Sequence, residues 1–220
     1  IIETGITIDN VHTSFFVKTK EPMFTPADGT TVRILIDSDN NQNTGYYYPG
    51  IGADNLVEIY GEDTGTVSTA ILYSYDDSRG NDDWNGFFSL TNIKANSTSA
   101  DGISTAIELQ IANFDIGIDA GDGMKYLITA SDSIGNMDVT NVMDLSRNEY
   151  LYEDSVNDRR DIVNSYRKGQ LDGIDIDGDF ADWNNVNQFK ADSNDNDVVD
   201  SADILRLSLI HISEPTRLRR

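Results

Sequence analysis

Short apolar runs rich in β-branched residues, separated by Gly, Asp and Asn, recur along the first 145 residues of the chain. The clearest of them, residues 32–36 (Val-Arg-Ile-Leu-Ile), leads directly into a polar stretch at residues 37–45. Short strands at near-regular spacing, with turn-forming residues between them, are typical of antiparallel sandwiches. No segment before residue 145 has the 3.6-residue apolar period of an amphipathic helix. The pattern therefore predicts an all-β fold, a jelly-roll-like antiparallel β-sandwich.

The predicted strands begin with a β-hairpin, in which residues 1–8 and 11–19 flank a turn at Asp9-Asn10. Trp84, Phe87 and Phe88 open a strand that follows a polar loop at residues 76–83. We expect the strand at 125–130 to be the last strand of the module. The full set of further strands, predicted from β-branched and aromatic content, is 32–36, 55–60, 67–75, 105–111 and 125–130.

The polar stretch after residues 32–36 carries side-chain oxygens at every second position. With this spacing a tight loop can wrap a hard cation such as Ca2+. Clustered carboxylates without a nearby Lys or Arg repel one another unless something neutralises them. Asp54 or Glu58 completes the set of cation ligands if the following strand returns beside the loop. These observations predict a calcium site, with calcium as the cofactor, at Asp37, Asp39, Asn41, Asn43 and Asp54.

An EF-hand does not account for this pattern. Gln42 stands where such a loop needs Gly, and Tyr48 stands where it needs a bidentate Glu. Asp and Asn are also the residues that cap turns with their own side chains and tolerate left-handed backbone. A metal site and a self-capped turn are therefore both open at this point.

The charge balance of the chain is strongly acidic, with 38 Asp and Glu against 16 Lys and Arg and a formal net charge of -22. Nucleic acids and anionic membranes both need a basic face, so neither is expected as a partner. An acidic excess suits a calcium-rich or saline exterior, where cations screen the repulsion. The chain has no Cys, and no apolar run approaches the ~20 residues that span a bilayer. We therefore expect an extracellular or cell-surface protein without disulfides and without direct membrane insertion.

Two stretches of the chain together resemble a hairpin that is found in one family of proteins. They are residues 34–46 (Ile-Leu-Ile-Asp-Ser-Asp-Asn-Asn-Gln-Asn-Thr-Gly-Tyr) and residues 50–59 (Gly-Ile-Gly-Ala-Asp-Asn-Leu-Val-Glu-Ile). The hairpin that they resemble is the central hairpin of extracellular β-sandwich modules similar to family 9 carbohydrate-binding modules and the wider DOMON-like group. Residues 106–111 (Ala-Ile-Glu-Leu-Gln-Ile) resemble the late Glu-x-x-Ile-Pro strand of that family. Residues 177–183 (Asp-Gly-Asp-Phe-Ala-Asp-Trp) resemble its Asp-Gly-x-x-x-Asp-Trp opening, whereas Asn55 departs from the Tyr of many such modules.

This resemblance covers most of residues 1–145 and again 172–206. It implies a module at 1–145 that lacks its N-terminal opening, a linker at 146–172 and the start of a second similar module at 173–206. The start of a second similar module predicts a tandem array. We also expect the chain to be an internal fragment, because it begins with neither Met nor a signal peptide.

The C-terminal part of the chain carries two further resemblances. Residues 192–207 resemble a dockerin calcium loop, although Asp197 stands where that loop has Gly. The tail at 207–220 turns abruptly basic and resembles translated sequencing-adapter read-through at the end of a metagenomic gene. We therefore assign the tail no function.

Catalysis needs a nucleophile beside a base, or two carboxylates in contrasting environments. No acid of this sequence stands in such a pattern, and we expect no enzyme. Aromatic faces that could stack on a pyranose are expected on loops at strand ends, at Tyr46, Tyr47, Tyr48 and Trp84. Such side chains also often just cover the edge of a sandwich.

The predicted function is therefore that of a non-catalytic module that binds polysaccharide or a cell-surface glycan, or that displays and spaces neighbouring modules of the same chain. The alternative is a structural surface-layer or adhesion repeat without glycan binding. A dockerin-type calcium module at residues 192–207 is a further alternative.

Overall fold

The computed structural model describes residues 1, 3–24, 30–61, 65–97, 104–119, 123–140, 142–145, 174–185 and 188–189. Within these ranges the chain forms strands and short 3-10 turns, and no helix is long and apolar enough to cross a membrane. The strands are β1 Glu3–Ile8, β2 His12–Met23, β3 Thr31–Asp37, β4 Tyr46–Tyr48, β5 Ile51–Ala53, β6 Asn55–Gly61, β7 Val67–Tyr75, β8 Phe87–Asn92, β9 Lys94–Ser97, β10 Ser104–Ala112, β11 Lys125–Ser131, β12 Met137–Val139, β13 Met143–Asp144 and β14 Gln188–Phe189.

Two antiparallel sheets form the body of the protein. The five-stranded sheet has the order β14-β1-β2-β10-β9. The larger sheet has the order β12-β11-β3-β6-β7-β8, and β13 also pairs with β11. β4 and β5 form a separate short hairpin. The all-β antiparallel sandwich predicted from the sequence is confirmed.

The main hydrophobic core lies between the two sheets. β3 contributes Val32, Ile34 and Ile36, which are fully buried alternate residues of one strand. Successive side chains of a strand point to opposite faces, so these three form its inward row. From the five-stranded sheet, Phe15 of β2 packs edge-on against Tyr126 of β11, with ring centroids 5.2 Å apart. This aromatic pair therefore joins the two sheets.

A second cluster covers part of the outer face of the larger sheet. The β4–β5 hairpin lies over this face, and β3, β6 and β11 each contribute one leucine to the contact. β3 is therefore buried on both faces, which explains why residues 32–36 are nearly continuously apolar instead of alternating. The buried members of this cluster are Leu35, Ile51, Ala53, Leu56 and Leu127.

The chain stays in the sandwich after β11, so the prediction that residues 125–130 form the last strand is wrong. A turn held by a hydrogen bond from the Asp132 N–H to the Asn136 carbonyl (3.0 Å) returns the chain to β11. Gly135 supplies the positive φ of 91° in this turn. β12 and β13, of three and two residues, then pair along β11. Strands this short are not detectable as an alternating pattern in the sequence.

Residues 174–185 and 188–189, which we predicted to begin a second module, pack against the five-stranded sheet of the first. β14 pairs antiparallel with β1, and Trp183 is fully buried in a cluster with Phe16 and Ala106. The predicted division of the chain at residues 145 and 173 stays a prediction. The predicted linker, the dockerin-like loop and the basic tail lie outside the described residues.

Truncation of Phe15 tests the core that joins the sheets. Because Phe15 is fully buried and packs on Tyr126, Phe15→Ala should lower the free energy of unfolding by about 3–5 kcal/mol. Phe114→Ala is the matched control, because Phe114 is 93% exposed and its truncation should change this free energy by less than about 0.5 kcal/mol. Urea unfolding followed by circular dichroism measures both variants. Equal effects of the two substitutions would contradict this core.

Candidate functional site

The acidic loop joins the ends of two neighbouring strands. β3 ends at Asp37, the loop and the β4–β5 hairpin follow, and the chain re-enters the sheet as β6 directly after Asp54. β3 and β6 pair antiparallel, with Ile36 opposite Asn55. The end of β3 and the start of β6 therefore lie together, and this brings Asp54 beside Asp37.

Three carboxylates converge at this end of the sheet. One oxygen from each of Asp37, Asp39 and Asp54 lies within 4.8 Å of the other two. Asp37 is buried, Asp54 is partly buried and Asp39 is exposed. Glu58, the other acid considered for this set of cation ligands, instead forms an ion pair with Arg33. A donor set made only of oxygens suits a hard cation such as Ca2+, so these three aspartates could hold one.

The loop also caps itself with its own side chains. The Asn41 N–H donates to Asp37 Oδ1 (3.1 Å) and to Asp39 Oδ1 (2.8 Å), and the Thr44 hydroxyl donates to Asp39 Oδ2 (3.0 Å). Asn43 donates to Asn41 Oδ1 from both its backbone and its side-chain amide, so these two predicted ligands bond each other. An ionised carboxylate has about four acceptor positions. The self-capped turn therefore leaves acceptor positions on the aspartates for a cation.

Two glycines allow the hairpin backbone to lie directly on the loop. A Cβ added at Gly52 would lie 2.1 Å from the Thr44 carbonyl oxygen and 2.7 Å from that of Asn41. The Gly52 N–H in turn donates to Asp37 Oδ2 (3.3 Å). Gly45 has a φ of +69°, and a Cβ there would lie 2.4 Å from the backbone of Ala53. The position of the acidic loop thus depends on close backbone contact that only glycine permits.

Burial opposes the ionisation of the two inner carboxylates. Burial and the neighbouring charge of Asp39 raise the pKa of Asp54 to about 6, although hydrogen bonds from the Ser38 N–H and hydroxyl (2.8 and 3.0 Å) act to lower it. Burial likewise raises the pKa of Asp37, opposed by the Gly52 N–H and the charge of Lys125. Burial thus makes the charged form of both carboxylates less favourable, an effect that a bound cation would relieve.

The three consecutive tyrosines form strand β4, so the prediction that they lie on a loop is wrong. Side chains alternate along a strand, so Tyr46 and Tyr48 lie on one side and Tyr47 lies on the other. Tyr46 and Tyr48 pack against the second hydrophobic cluster, whereas Tyr47 is 50% exposed. Trp84 lies where predicted, in a 3-10 turn after the second polar loop. Its ring is 41% exposed and contacts Tyr46 edge-on, with centroids 5.1 Å apart.

The structure adds three polar or aromatic residues to the surroundings of Trp84 that sequence reasoning missed. The Trp84 ring lies over the Arg33 guanidinium, 5.9 Å from centroid to Cζ. Arg33 Nε donates to Glu58 Oε1 (2.7 Å), and the Tyr60 hydroxyl donates to Glu58 Oε2 (2.8 Å). We call Arg33, Glu58, Tyr60 and Trp84 the outer-face patch. The available signal was Arg33 itself, the one charged residue within the apolar run at residues 32–36.

Glu58 holds the outer-face patch together electrostatically. It is nearly buried and lies directly opposite Arg33 on the neighbouring strand. Burial, together with the Glu58 carboxylate, raises the pKa of Tyr60 to about 12. The Tyr60 hydroxyl therefore remains protonated and acts as a hydrogen-bond donor at neutral pH.

No protein-family model matches the chain, and no curated protein or solved structure gives a match either. The resemblance to family 9 carbohydrate-binding modules and DOMON-like modules therefore stays a prediction that rests on the motifs quoted above.

The raised pKa of Asp54 predicts a pH dependence of the metal-free protein. The folded state keeps this proton up to about pH 6, whereas the unfolded chain loses it near 3.8. The free energy of unfolding should therefore fall as pH rises from about 4 to 6, by on the order of 2 kcal/mol. Asp54→Asn should remove this part of the slope.

Urea unfolding between pH 4 and 7, in protein treated with a chelator, measures the difference between wild type and Asp54→Asn. Asp82→Asn is the control, because it removes an exposed carboxylate outside the cluster and should leave the slope unchanged. Parallel pH profiles of wild type and Asp54→Asn would contradict the prediction.

Proposed function

We propose that this protein is a non-catalytic extracellular or cell-surface module that binds carbohydrate at the outer-face patch and is stabilised by calcium at the acidic loop. The observation that carries the proposal is the exposed ring of Trp84 beside a fixed network of Arg33, Glu58 and Tyr60. A pyranose presents a flat apolar face and a rim of hydroxyls, so its recognition needs an aromatic plane and oriented polar groups together.

The polar groups of the patch are suited to sugar hydroxyls. A guanidinium carries five N–H donors, and the described hydrogen bonds of Arg33 use Nε, to Glu58, and Nη1, to Ser131 Oγ (3.4 Å). Nη2 therefore remains as a donor for a ligand. Because the ion pair with Glu58 lies across two paired strands, the donors are held in place before binding, and less side-chain entropy is lost.

Calcium supports the same proposal through the acidic loop. The three aspartates supply oxygens alone, which is the donor chemistry that calcium prefers. In the same loop, Asn40 Oδ1 is buried without a hydrogen-bond partner among the described residues. An extracellular setting holds enough calcium to fill a weak site and enough salt to screen a net charge of -22.

The second candidate function is a structural surface-layer or adhesion repeat, whose partners are neighbouring modules rather than glycans. It is favoured by the use of two of the four predicted stacking residues for packing. Tyr46 contacts Tyr75, Trp84 and Phe87, and Tyr48 packs on the second cluster. The third candidate, a dockerin-type module at residues 192–207, falls on residues outside the described ranges.

Glycan retention separates the first two candidates. On arrays and insoluble polysaccharides, wild type should bind at least one glycan, and Trp84→Ala should weaken that binding by about tenfold or more. Tyr47→Ala tests the other exposed aromatic among the predicted stacking residues. Phe114→Ala is the control, because it removes an exposed ring that is part of neither the outer-face patch nor the acidic loop. Absence of retention on every glycan would favour the structural repeat.

Calcium should stabilise the folded state. At a hundredfold excess over its dissociation constant the gain is about 2.7 kcal/mol, because the cation binds the folded state alone. Differential scanning calorimetry should show a higher melting temperature with calcium than with EDTA, and Asp54→Asn should remove the difference. Asp82→Asn should keep it. A melting temperature that does not respond to calcium, in protein shown to be metal-free, would rule out the site without bearing on glycan binding.

A further inference from the structure

The outer face of the five-stranded sheet carries a groove that runs across four strands. Gly5 lies opposite Phe16, Phe16 lies opposite Glu108, and Glu108 lies opposite Asn96. These four residues form one row on β1, β2, β10 and β9. We call this row, with Ala106 beside it, the acceptor groove.

Residues 174–185 and 188–189 fill the acceptor groove in this structure, and we call the segment 174–189 that contains them the donor segment. The Trp183 indole is fully buried on Phe16, with ring centroids 5.6 Å apart, and its Nε1–H donates to Glu108 Oε2 (2.9 Å). The Gly178 N–H donates to the other Glu108 oxygen (2.7 Å). Phe180 adds an edge contact to Phe16, with centroids 5.4 Å apart. Glu108 is thus the polar anchor of a largely aromatic contact.

The acceptor groove is shaped for this segment at both ends. A Cβ at Gly5 would lie 3.4 Å from the indole of Trp183, so any larger side chain there would occupy the indole's place. At the other end, Gly178 has a φ of +88° and passes close over Asn96. Glycine at position 5 therefore leaves room for the indole, and glycine at position 178 permits the positive φ.

The donor segment is also an organised unit. The Asp179 N–H donates to Asp177 Oδ1 (2.7 Å), and the Asp175 N–H donates to Asp182 Oδ2 (2.9 Å). The Trp183 N–H donates to the Phe180 carbonyl (3.2 Å). The aspartates of the segment therefore cap its own turns, which reduces the entropy lost when the segment docks.

The contact between groove and segment is separate from the core between the sheets. Phe16, Ala106 and Trp183 form their own cluster, whereas the main core draws on the opposite faces of the same strands. An empty groove would leave the buried Glu108 carboxylate without two donors and would expose Phe16 to water. Both effects are unfavourable, so the groove requires an occupant.

The occupant does not have to come from the same chain. The 28 residues at 146–173 connect the last described strand of the sandwich to the donor segment, and a chain of this length reaches up to about 95 Å when extended. We propose that the acceptor groove of one copy also takes the donor segment of a second copy, so that two copies close each other by reciprocal exchange. Exchange of an identical element reuses every contact of the closed monomer and needs no new interface.

Concentration decides between the closed monomer and the exchanged dimer. Covalent linkage within one chain corresponds to an effective concentration of up to about millimolar. Closure within one chain therefore dominates in dilute protein, and exchange becomes comparable only when copies are crowded, as on a surface. Blocking closure within one chain should reveal exchange at much lower concentrations.

Two full-length variants are designed to prevent closure within one chain. Trp183→Ala has a defective donor segment and an intact groove, and Gly5→Leu has a blocked groove and an intact donor segment. Neither variant can close by itself, whereas a mixture contains one working pair. Size-exclusion chromatography with light scattering should show each variant as a monomer of about 24.4 kDa and the mixture as a 1:1 complex of twice that mass.

Trp84→Ala mixed with Gly5→Leu is the matched control, since Trp84→Ala closes on its own segment and should give no complex. A mixture of Trp183→Ala with Gly5→Leu that stays monomeric, while both variants keep a cooperative melting transition, would overturn the proposal. If either variant fails to fold, wild-type chains with two different tags are mixed, warmed and analysed at about 1 mM. Doubly tagged complexes are then expected, and their absence would equally overturn the proposal.

A labelled peptide of residues 174–189 tests the groove itself. It should bind full-length Trp183→Ala, and bind Gly5→Leu at least about tenfold more weakly, because the buried tryptophan is the principal anchor. A peptide in which Ala replaces Trp183 should no longer bind the full-length Trp183→Ala protein more tightly than the Gly5→Leu protein. Equal binding to both variants would show that the contact is not made in the acceptor groove.

Discussion

The antiparallel pairing of β3 with β6 is the interaction on which the rest of the larger sheet depends. Its register places Leu35 opposite Leu56 beneath the hairpin and Arg33 opposite Glu58 in the outer-face patch. The same register brings Asp54 to the end of β3, where the carboxylates converge. A slip of one residue would send each of these side chains to the opposite face. One register therefore positions the second core, the patch and the acidic loop together.

Each sheet carries on its outer face a buried carboxylate that accepts hydrogen bonds from protein donors. Glu58 accepts hydrogen bonds from Arg33 and Tyr60, and Glu108 accepts them from Gly178 and Trp183. Burying an acid is unfavourable unless donors replace the lost water. Burial is also the main reason that the pKa of Glu108 is raised. Glu108 therefore specifies where the donor segment binds, whereas Glu58 orders Arg33 and Tyr60 within its own sheet.

Exposed ion pairs contribute little to this arrangement. Lys94 and Asp175 approach to 3.3 Å between the sheet and the donor segment, but both side chains are largely exposed, and such pairs add at most about 1 kcal/mol. The aromatic contact of Trp183 with Phe16 and the hydrogen bonds to Glu108 outweigh it. Repulsion among the large excess of acids is screened by salt, so its effect depends on the surroundings of the protein.

The sequence by itself determined the fold class and most of the longer strands, because period-two patterns and turn residues act over a few neighbouring positions. It also named Asp54 or Glu58 as the acid that joins the acidic loop if the next strand returns beside it, and the structure brings Asp54 there. It did not reveal β12 and β13, which are too short to carry a pattern, or the inward turn of Tyr46 and Tyr48. Only the tertiary structure decided that Arg33 pairs with Glu58 and that Trp183 reaches Glu108 across 75 residues of sequence. Those contacts depend on strand register and on packing between distant segments, and neither is written in the local pattern of any one of them.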